Sequence, residues 1–331
     1  MILQQGDVIK FSSDATFLEE IPKGNWLLNL DTVSMYLSKL PQFTLPSKIY
    51  GDYLTTSKHY LSSFNSLPNS TGVLLSGSSG SGKSLLAKMV CEMSNLPVII
   101  ISEYYTGTQF HKVLNEISQD VVIFIDEFEK IYDTHEKQNE FLPILDGVFQ
   151  NKKLFIFTTN NPSVNKFLLN RPGRVRYHRH FTGLSEELIE EVLSDNVTDV
   201  DVKKQISEIC LTLGDVSYDA LQSILQEVNM YSISPAEAVN LLNIEVQSSH
   251  YRVFLIIKGK HYTSSFEGHP VVNEEYSVGY KDDGGWWDKS YIVKLRDFDI
   301  YYESGGRVEL RHKEETTVLR FEKIVPYKFE L

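Results

Sequence analysis

Residues 77–84 read Gly77-Ser78-Ser79-Gly80-Ser81-Gly82-Lys83-Ser84, and these types at this spacing suit the holding of a phosphate chain. Glycines reach backbone angles closed to other residues, so successive N–H groups can turn inward around phosphate oxygens. Lys83 can reach the terminal phosphates and the Ser84 hydroxyl can ligate magnesium. The helix that opens through Leu85 adds its positive end. A flexible Gly/Ser linker could carry the same letters. The apolar run Val73–Ser76 before it, and Leu85, Leu86, Met89, Val90 and Met93 at helical spacing after it, favour a strand–loop–helix unit for a nucleoside triphosphate.

Three further groups supply what such a site needs. Asp126-Glu127 closes the apolar run Val121–Ile125. Asp126 would hold magnesium, and Glu127 would act as general base toward the attacking water. Asn160 ends the run Leu154–Phe157 and could orient that water, although Asn is also a common strand-end turn residue. Arg171 and Arg174 flank Pro172-Gly173, too far along the chain to fold back easily onto its own phosphates; offered to a neighbouring subunit they would neutralise transition-state charge. Surface arginines on a turn are the plainer alternative.

The elements that must position these groups are legible in the same way. Val98–Ile101, Val121–Ile125 and Leu154–Phe157 are apolar on both faces, which suits a parallel sheet between helices. Their alternation with helical patterns predicts a doubly wound α/β domain at 49–181. Tyr50-Gly51 precedes a helix at about 52–66 and could lie against the nucleotide base, or serve as a linker. Residues 1–48 read as a small β-rich extension in which Trp26–Leu30 and Met35–Leu37 pair across Asp31–Ser34. Residues 182–247 carry four amphipathic helical patterns, two of them opened by Ser185 and Ser217. Residues 248–331 read as an all-β sandwich or barrel with strands near Tyr251, Tyr276, Tyr291, Arg307 and Thr317; Trp286 and Trp287 follow a turn there, as a binding anchor or as core.

The chain has 331 residues, enough for two or three domains, with 42% hydrophobic and 23% charged residues, ordinary for a globular protein. No apolar run reaches the length of a membrane span and no secretory pattern opens the chain. Cys91 and Cys210 lie far apart, which predicts no disulfide framework, no zinc site and a reducing cytoplasm. The net charge of −12 argues against a general nucleic-acid binder. From residue 248 onward, however, 13 Lys/Arg face 14 Asp/Glu, so a local basic groove there stays open.

Gly77–Ser84, Asp126-Glu127, Leu145-Asp146-Gly147, Thr159-Asn160 and Arg171-Pro172-Gly173-Arg174 together resemble the AAA+ ATPases, most closely the AAA family proper, over residues 49–246. The resemblance implies ATP and Mg2+ as ligands, hydrolysis of ATP, a homo-oligomeric and usually hexameric ring, and active sites at subunit interfaces. It would make Asn160 the sensor-1 residue and Arg171 and Arg174 the arginine fingers, with 182–247 as the helical lid. Two positions depart from the family: Lys166 and Arg176 stand where acids are usual, which bears on signalling between subunits. No sensor-2 arginine occurs at Gly214–Leu221, as is usual in the family proper.

In polypeptide-threading members an aromatic, an aliphatic residue and a glycine face a central pore. Here Tyr104, Tyr105 and Gly107 occupy that loop, with Thr106 in place of the aliphatic. They would grip an extended protein substrate through rigid aromatic area, or pack against the sheet edge instead. The leading expectation is a ring ATPase that remodels or threads a protein substrate. An ATP-switched assembly factor that threads nothing is the alternative, and a nucleic-acid motor comes third. The chain contains no H-E-x-x-H motif, so any proteolysis would need a partner.

Overall fold

The computed structural model describes residues 2–5, 8–11, 18–30, 35–146, 152–160, 173–213, 216–242, 244, 249–268, 270–271, 275–281, 289–303 and 307–324. Gly147, Lys166, Arg171, Pro172, Gly214, Trp286, Trp287 and the turn at 31–34, all singled out from sequence, lie outside the described residues. The chain divides into two units: residues 1–77 with 83–180, and residues 78–82 with 181–331.

The first unit runs β1 (Ile2–Gln5), β2 (Val8–Phe11), β3 (Gly24–Leu30), β4 (Met35–Leu40), α1 (Tyr53–Ser66), β5 (Thr71–Gly77), α2 (Lys83–Ser94), β6 (Pro97–Ile100), α3 (Gly107–Glu116), β7 (Val121–Ile125), α4 (Phe128–Ile131), α5 (His135–Leu145), β8 (Lys153–Thr159) and β9 (Tyr177–Phe181), whose last residue belongs to the second unit. Among the described residues, strands β1 and β2 pair only with each other. The main sheet has the order β4-β3-β6-β7-β8-β5-β9, with β3, β6, β7, β8 and β5 parallel in succession. Every residue of β5, β7 and β8 is buried, as expected for strands covered on both faces.

The expected hairpin forms, with Asn25 opposite Leu40 and Leu30 opposite Met35. It does not stand apart as an extension. Strand β3 lies parallel to β6 and carries the sheet two strands further, and Leu28 joins the main core. The exposed edge that β6 would present is thereby paired.

Two consecutive lysines tie helices to the foot of β8. The Lys152 ammonium donates to the carbonyls of Phe64, Asn65 and Leu67 at the end of α1, at 2.8, 3.3 and 3.2 Å. The fully buried Lys153 donates to Ile117 and Gln119 O beyond the end of α3, at 2.9 and 3.0 Å. Lys152 thus meets carbonyls at the end of α1, and Lys153 meets the C-cap carbonyl of α3 and one from the turn beyond it, where a cation is favoured. Burial pulls the Lys153 ammonium down to about 8.

In the second unit, α6 (Glu186–Asn196), α7 (Val200–Leu213), α8 (Tyr218–Tyr231) and α9 (Pro235–Leu241) are the four helices read from the sequence. Ser185 and Ser217 cap α6 and α8 by accepting from the Leu188 and Ala220 amides at 3.3 and 3.2 Å. Beyond them, β10 (Ser249–Ile257), β11 (Lys260–Gly268), β12 (Glu275–Tyr280), β13 (Lys289–Lys294), β14 (Phe298–Glu303), β15 (Arg307–His312) and β16 (Val318–Lys323) form an antiparallel sheet of order β11-β10-β16-β15-β14 and a β12-β13 hairpin. Val278 and Val293 of the hairpin share a core with Tyr251, Val253, Leu310 and Phe321 of the sheet.

Candidate functional site

Between β5 and α2 the backbone takes the left-handed region at Gly77, Gly80 and Gly82, with φ of 144°, 71° and 96°. Within the second unit, a Cβ added to Gly80 would lie 2.8 Å from Asp219 Oδ2 in the first turn of α8, so glycine is required there twice over. The Ser81 hydroxyl donates to Ser78 O at 2.7 Å and braces the loop.

Lys83 opens α2 with 6% of its surface exposed. Burial lowers its pKa, opposed by the charges of Glu129, Asp126 and Glu127, in that order of strength. The next residue, Ser84, donates through Oγ to Asp126 Oδ1 at 2.9 Å. Thr158 on β8 donates to the same oxygen at 2.5 Å and accepts from the Glu127 N–H at 2.8 Å. Glu127 itself is left-handed, at φ 52°, where the chain turns from β7 into α4. This hydrogen-bonded row of Ser84, Asp126, Thr158 and Glu127 binds the ends of two neighbouring strands to the start of α2.

Asn160 completes the group. Its side-chain amide stands 3.5 Å from Glu127 Oε1, and its backbone N–H donates to Glu129 Oε1 at 2.8 Å. Glu127 Oε1 also receives the Lys130 ammonium at 2.6 Å, a pair exposed on both sides. The remaining Glu129 oxygen, Oε2, is buried with no hydrogen-bond partner. Ser84 and Asp126 present the hard oxygens that magnesium prefers, so the donor set fits the cation that the motif implies.

Two expectations are corrected here. Arg174 is not offered outward. Its guanidinium is 9% exposed and grips Asp146 with two hydrogen bonds, Nε to Oδ1 at 2.6 Å and Nη2 to Oδ2. The Arg174 carbonyl passes so close to Gly72 that a Cβ there would lie 2.1 Å from it, and the Arg176 N–H donates to Gly72 O at 2.9 Å. Arg174 thus anchors the lead-in to β9.

Tyr105 is likewise a core residue, 4% exposed. Its hydroxyl donates to Leu28 O at 2.9 Å, its carbonyl accepts from the Tyr132 hydroxyl at 3.0 Å, and its ring lies 5.8 Å from Phe110. The addition of β3 beside β6 covers this tyrosine, and α3 begins directly at Gly107. Tyr104 is half-buried; its hydroxyl and that of Thr106 both donate to Glu140 on α5. Near the start of α1, the Lys48 ammonium lies 4.9 Å over the Tyr50 ring and Gly51 has φ 78°. Asp52, next in the chain, is held in a two-pronged pair by Arg179.

Sequence reasoning missed Thr158 and Glu129. Thr158 had a signal, since it ends a strand beside the one that ends in Asp126, but strand order had to be known to use it. Glu129 had the weaker signal of an acid two residues beyond an acid pair.

Residues 73–182 match the model of the "ATPase family associated with various cellular activities (AAA)", so this stretch is an AAA segment, as the motifs implied. The chain is 35% identical over 133 residues to the ATP-dependent zinc metalloprotease FtsH 2 of Phytoplasma mali, covering 34% of this chain and 19% of the relative. It is 33% identical over 153 residues to the ATP-dependent zinc metalloprotease YME1 homolog of Schizosaccharomyces pombe, covering 39% and 21%. With the FtsH metalloprotease of Mycoplasmopsis pulmonis it shares 29% over 209 residues, covering 55% and 28%. The chain therefore spans 19–28% of the length of these relatives. The segment and its ATP-dependent relatives support an ATP hydrolase. Among the described residues, no helix is long and apolar enough to cross a membrane and no group of three or more His, Cys, Asp or Glu could hold a metal ion.

Proposed function

We propose that the chain binds ATP with Mg2+, hydrolyses it, and uses the hydrolysis to change the state of a protein partner. The observation that carries the reading is the row Ser84–Asp126–Thr158–Glu127, with Asn160 against Glu127 and Lys83 in the field of the same carboxylates. In this reading the loop 77–82 and the helix end through Leu85 cradle the phosphates, with Tyr50-Gly51 toward the base. Ser84 and Asp126 hold Mg2+, which neutralises phosphate charge when bound. Glu127 takes a proton from the attacking water, and Asn160 keeps that carboxylate aimed. To act so, Glu127 must exchange its exposed pairing with Lys130 for the water, a change that costs little because such pairs are weak.

Oligomerisation belongs to the same proposal. With Arg174 committed to Asp146, the finger role falls to Arg171, presented to the next subunit of a homo-oligomeric ring, with a hexamer as the family's usual size. The relatives named as ATP-dependent proteases support a protein as the partner, with 182–247 as a lid and 248–331 as the part that selects or docks it. Cys91 and Cys210, both buried free thiols, suit the proposed cytoplasmic setting.

The burial of Tyr105 favours a second reading in which the ring changes shape with nucleotide and threads nothing. Any pore contact would then rest on Tyr104 alone. ATP turnover measured with unfolded polypeptide, with DNA and with neither separates these readings from a nucleic-acid motor. The first test of the site is Lys83→Ala, which should lose ATP binding with its fold intact; unchanged turnover in the purified variant would remove the proposal.

A further inference from the structure

Ser76 is buried on β5, one residue before Gly77 opens the phosphate loop. Strand β9 lies beside β5 at the end of the sheet order. On it, His178 and His180 are two residues apart, so both imidazoles stand on one face. They converge there on a single atom, with His178 Nε2 2.8 Å and His180 Nδ1 3.0 Å from Ser76 Oγ. The hydroxyl has one proton, so one ring would already satisfy it as a donor. The second ring brings another nitrogen to the same point. Both side chains are exposed, and both line a cavity of about 560 Å³ together with Thr55, Thr56 and His59 of α1.

We propose that His178 and His180, with Ser76 Oγ as a third donor, form a binding site for a divalent transition cation such as Zn2+. Imidazole nitrogen suits Zn2+, Ni2+ and Cu2+, whereas Mg2+ takes oxygen ligands, so this site differs in chemistry from the Ser84–Asp126 pair. The ring that donates to Ser76 moves its proton to its other nitrogen. Both lone pairs then point at the metal, and no proton has to leave. Exposed rings can turn to bring their nitrogens to about 2.0–2.1 Å from zinc. Partial desolvation lowers the His178 pKa and so favours the neutral form that ligates. Among the described residues no third His, Cys, Asp or Glu joins the pair, so water from the cavity completes the shell. Binding is therefore weaker than at a four-ligand structural zinc. The ion ties the edge strand to the strand that enters the phosphate loop, and stabilises the folded chain by mass action. None of this rests on the ATPase reading.

The experiment uses the full chain, stripped with a chelator and kept in excess Mg2+. Zn2+ is titrated in by calorimetry and by thermal melts, and Cu2+ is added for electron paramagnetic resonance. One Zn2+ should bind per chain and raise the melting temperature, and the Cu2+ spectrum should carry hyperfine structure from two nitrogens. His178→Gln and His180→Gln should each weaken Zn2+ binding by about 10–100-fold or more, since even a partner of a ligand is worth that much. Ser76→Ala keeps both imidazoles and should lose less. Asp126→Asn should bind Zn2+ as wild type does. Metal-free melts show which variants fold; should a glutamine variant fail to, the wild-type Cu2+ spectrum decides between two nitrogens and fewer. Overturning results are a melting temperature that ignores Zn2+, binding that survives either histidine substitution, binding lost in Asp126→Asn, or a Cu2+ spectrum with fewer than two nitrogens.

Discussion

Glu127 sits in a left-handed backbone conformation that costs a non-glycine residue about 1–2 kcal/mol, retained here at a strand end beside the phosphate loop. Replacing it with Gln keeps shape and backbone. Nucleotide should still bind, while turnover falls about 10²–10⁴-fold, the usual worth of a general base. Filter binding of ATP against phosphate release checks this, and wild-type turnover would place the base elsewhere. Arg174 behaves differently from what its motif suggested. Loss of its two hydrogen bonds to Asp146 in Arg174→Ala should cost about 1–3 kcal/mol, nearer the lower figure because Asp146 is half exposed. The melting temperature should drop, and that drop separates a brace from a finger. The letters R-P-G-R were enough to suggest a family role, but not to tell that the Arg174 guanidinium is spent inside its own chain. That depends on Asp146, 28 residues away, and on the close passage at Gly72.

At the scale of elements, the doubly wound sheet was readable because β5, β7 and β8 are buried on both faces, so that each carries an uninterrupted apolar run at its centre. The destination of the β3–β4 hairpin was not readable, because its pairing with β6 joins residues some seventy positions apart. Strand β11 was missed for another reason. Lys-His-Tyr-Thr-Ser-Ser-Phe-Glu-Gly alternates exposed and half-buried residues without an apolar run. The hairpin's arrival decides the fate of Tyr105. Tyr105→Phe should lose only the bond to Leu28, about 0.5–1.5 kcal/mol, whereas Tyr105→Ala should cost about 3 kcal/mol or more. Denaturant unfolding measures both, and a Tyr105→Ala variant of native stability would return this ring to the pore. The other edge of the sheet carries a pH dependence. Ser76, just before the phosphate loop, meets His178 Nε2 at 2.8 Å and His180 Nδ1 at 3.0 Å. His178 is largely exposed, yet its partial desolvation first, and then the charge of His180, lower its pKa from the ordinary 6.5. The unfolded chain therefore binds the proton more readily. Stability present above pH 6.5 should decline as pH falls through 6.5 and level off below the folded value, and His178→Gln should flatten that decline in thermal melts.

At the scale of the whole molecule, the proposal requires that no subunit be complete alone. A ring is built from a repeated head-to-tail interface, so each site takes its base from one subunit and its finger from the next. Two inactive variants can then repair each other. Glu127→Gln lacks the base but keeps Arg171; Arg171→Ala lacks the finger but keeps Glu127. In a one-to-one mixture that assembles at random, half of the sites hold an intact base, and half of those face an intact finger. About a quarter of wild-type turnover should return, although neither variant alone shows it. Dilution adds an independent check, since turnover per subunit should fall as the assembly dissociates, steeply and not in proportion. Arg171→Ala should keep its affinity for ATP, because its contribution is to charge developing in the transition state. Were Arg171→Ala active by itself, the finger assignment would fail and the site would be self-contained. Were both variants inactive alone and the mixture equally inactive under conditions where light scattering shows mixed assemblies, the finger would have to act within its own subunit. The mixing experiment therefore distinguishes a shared site from a private one without any knowledge of ring size, because the quarter follows from one base and one finger per interface, whatever the number of interfaces.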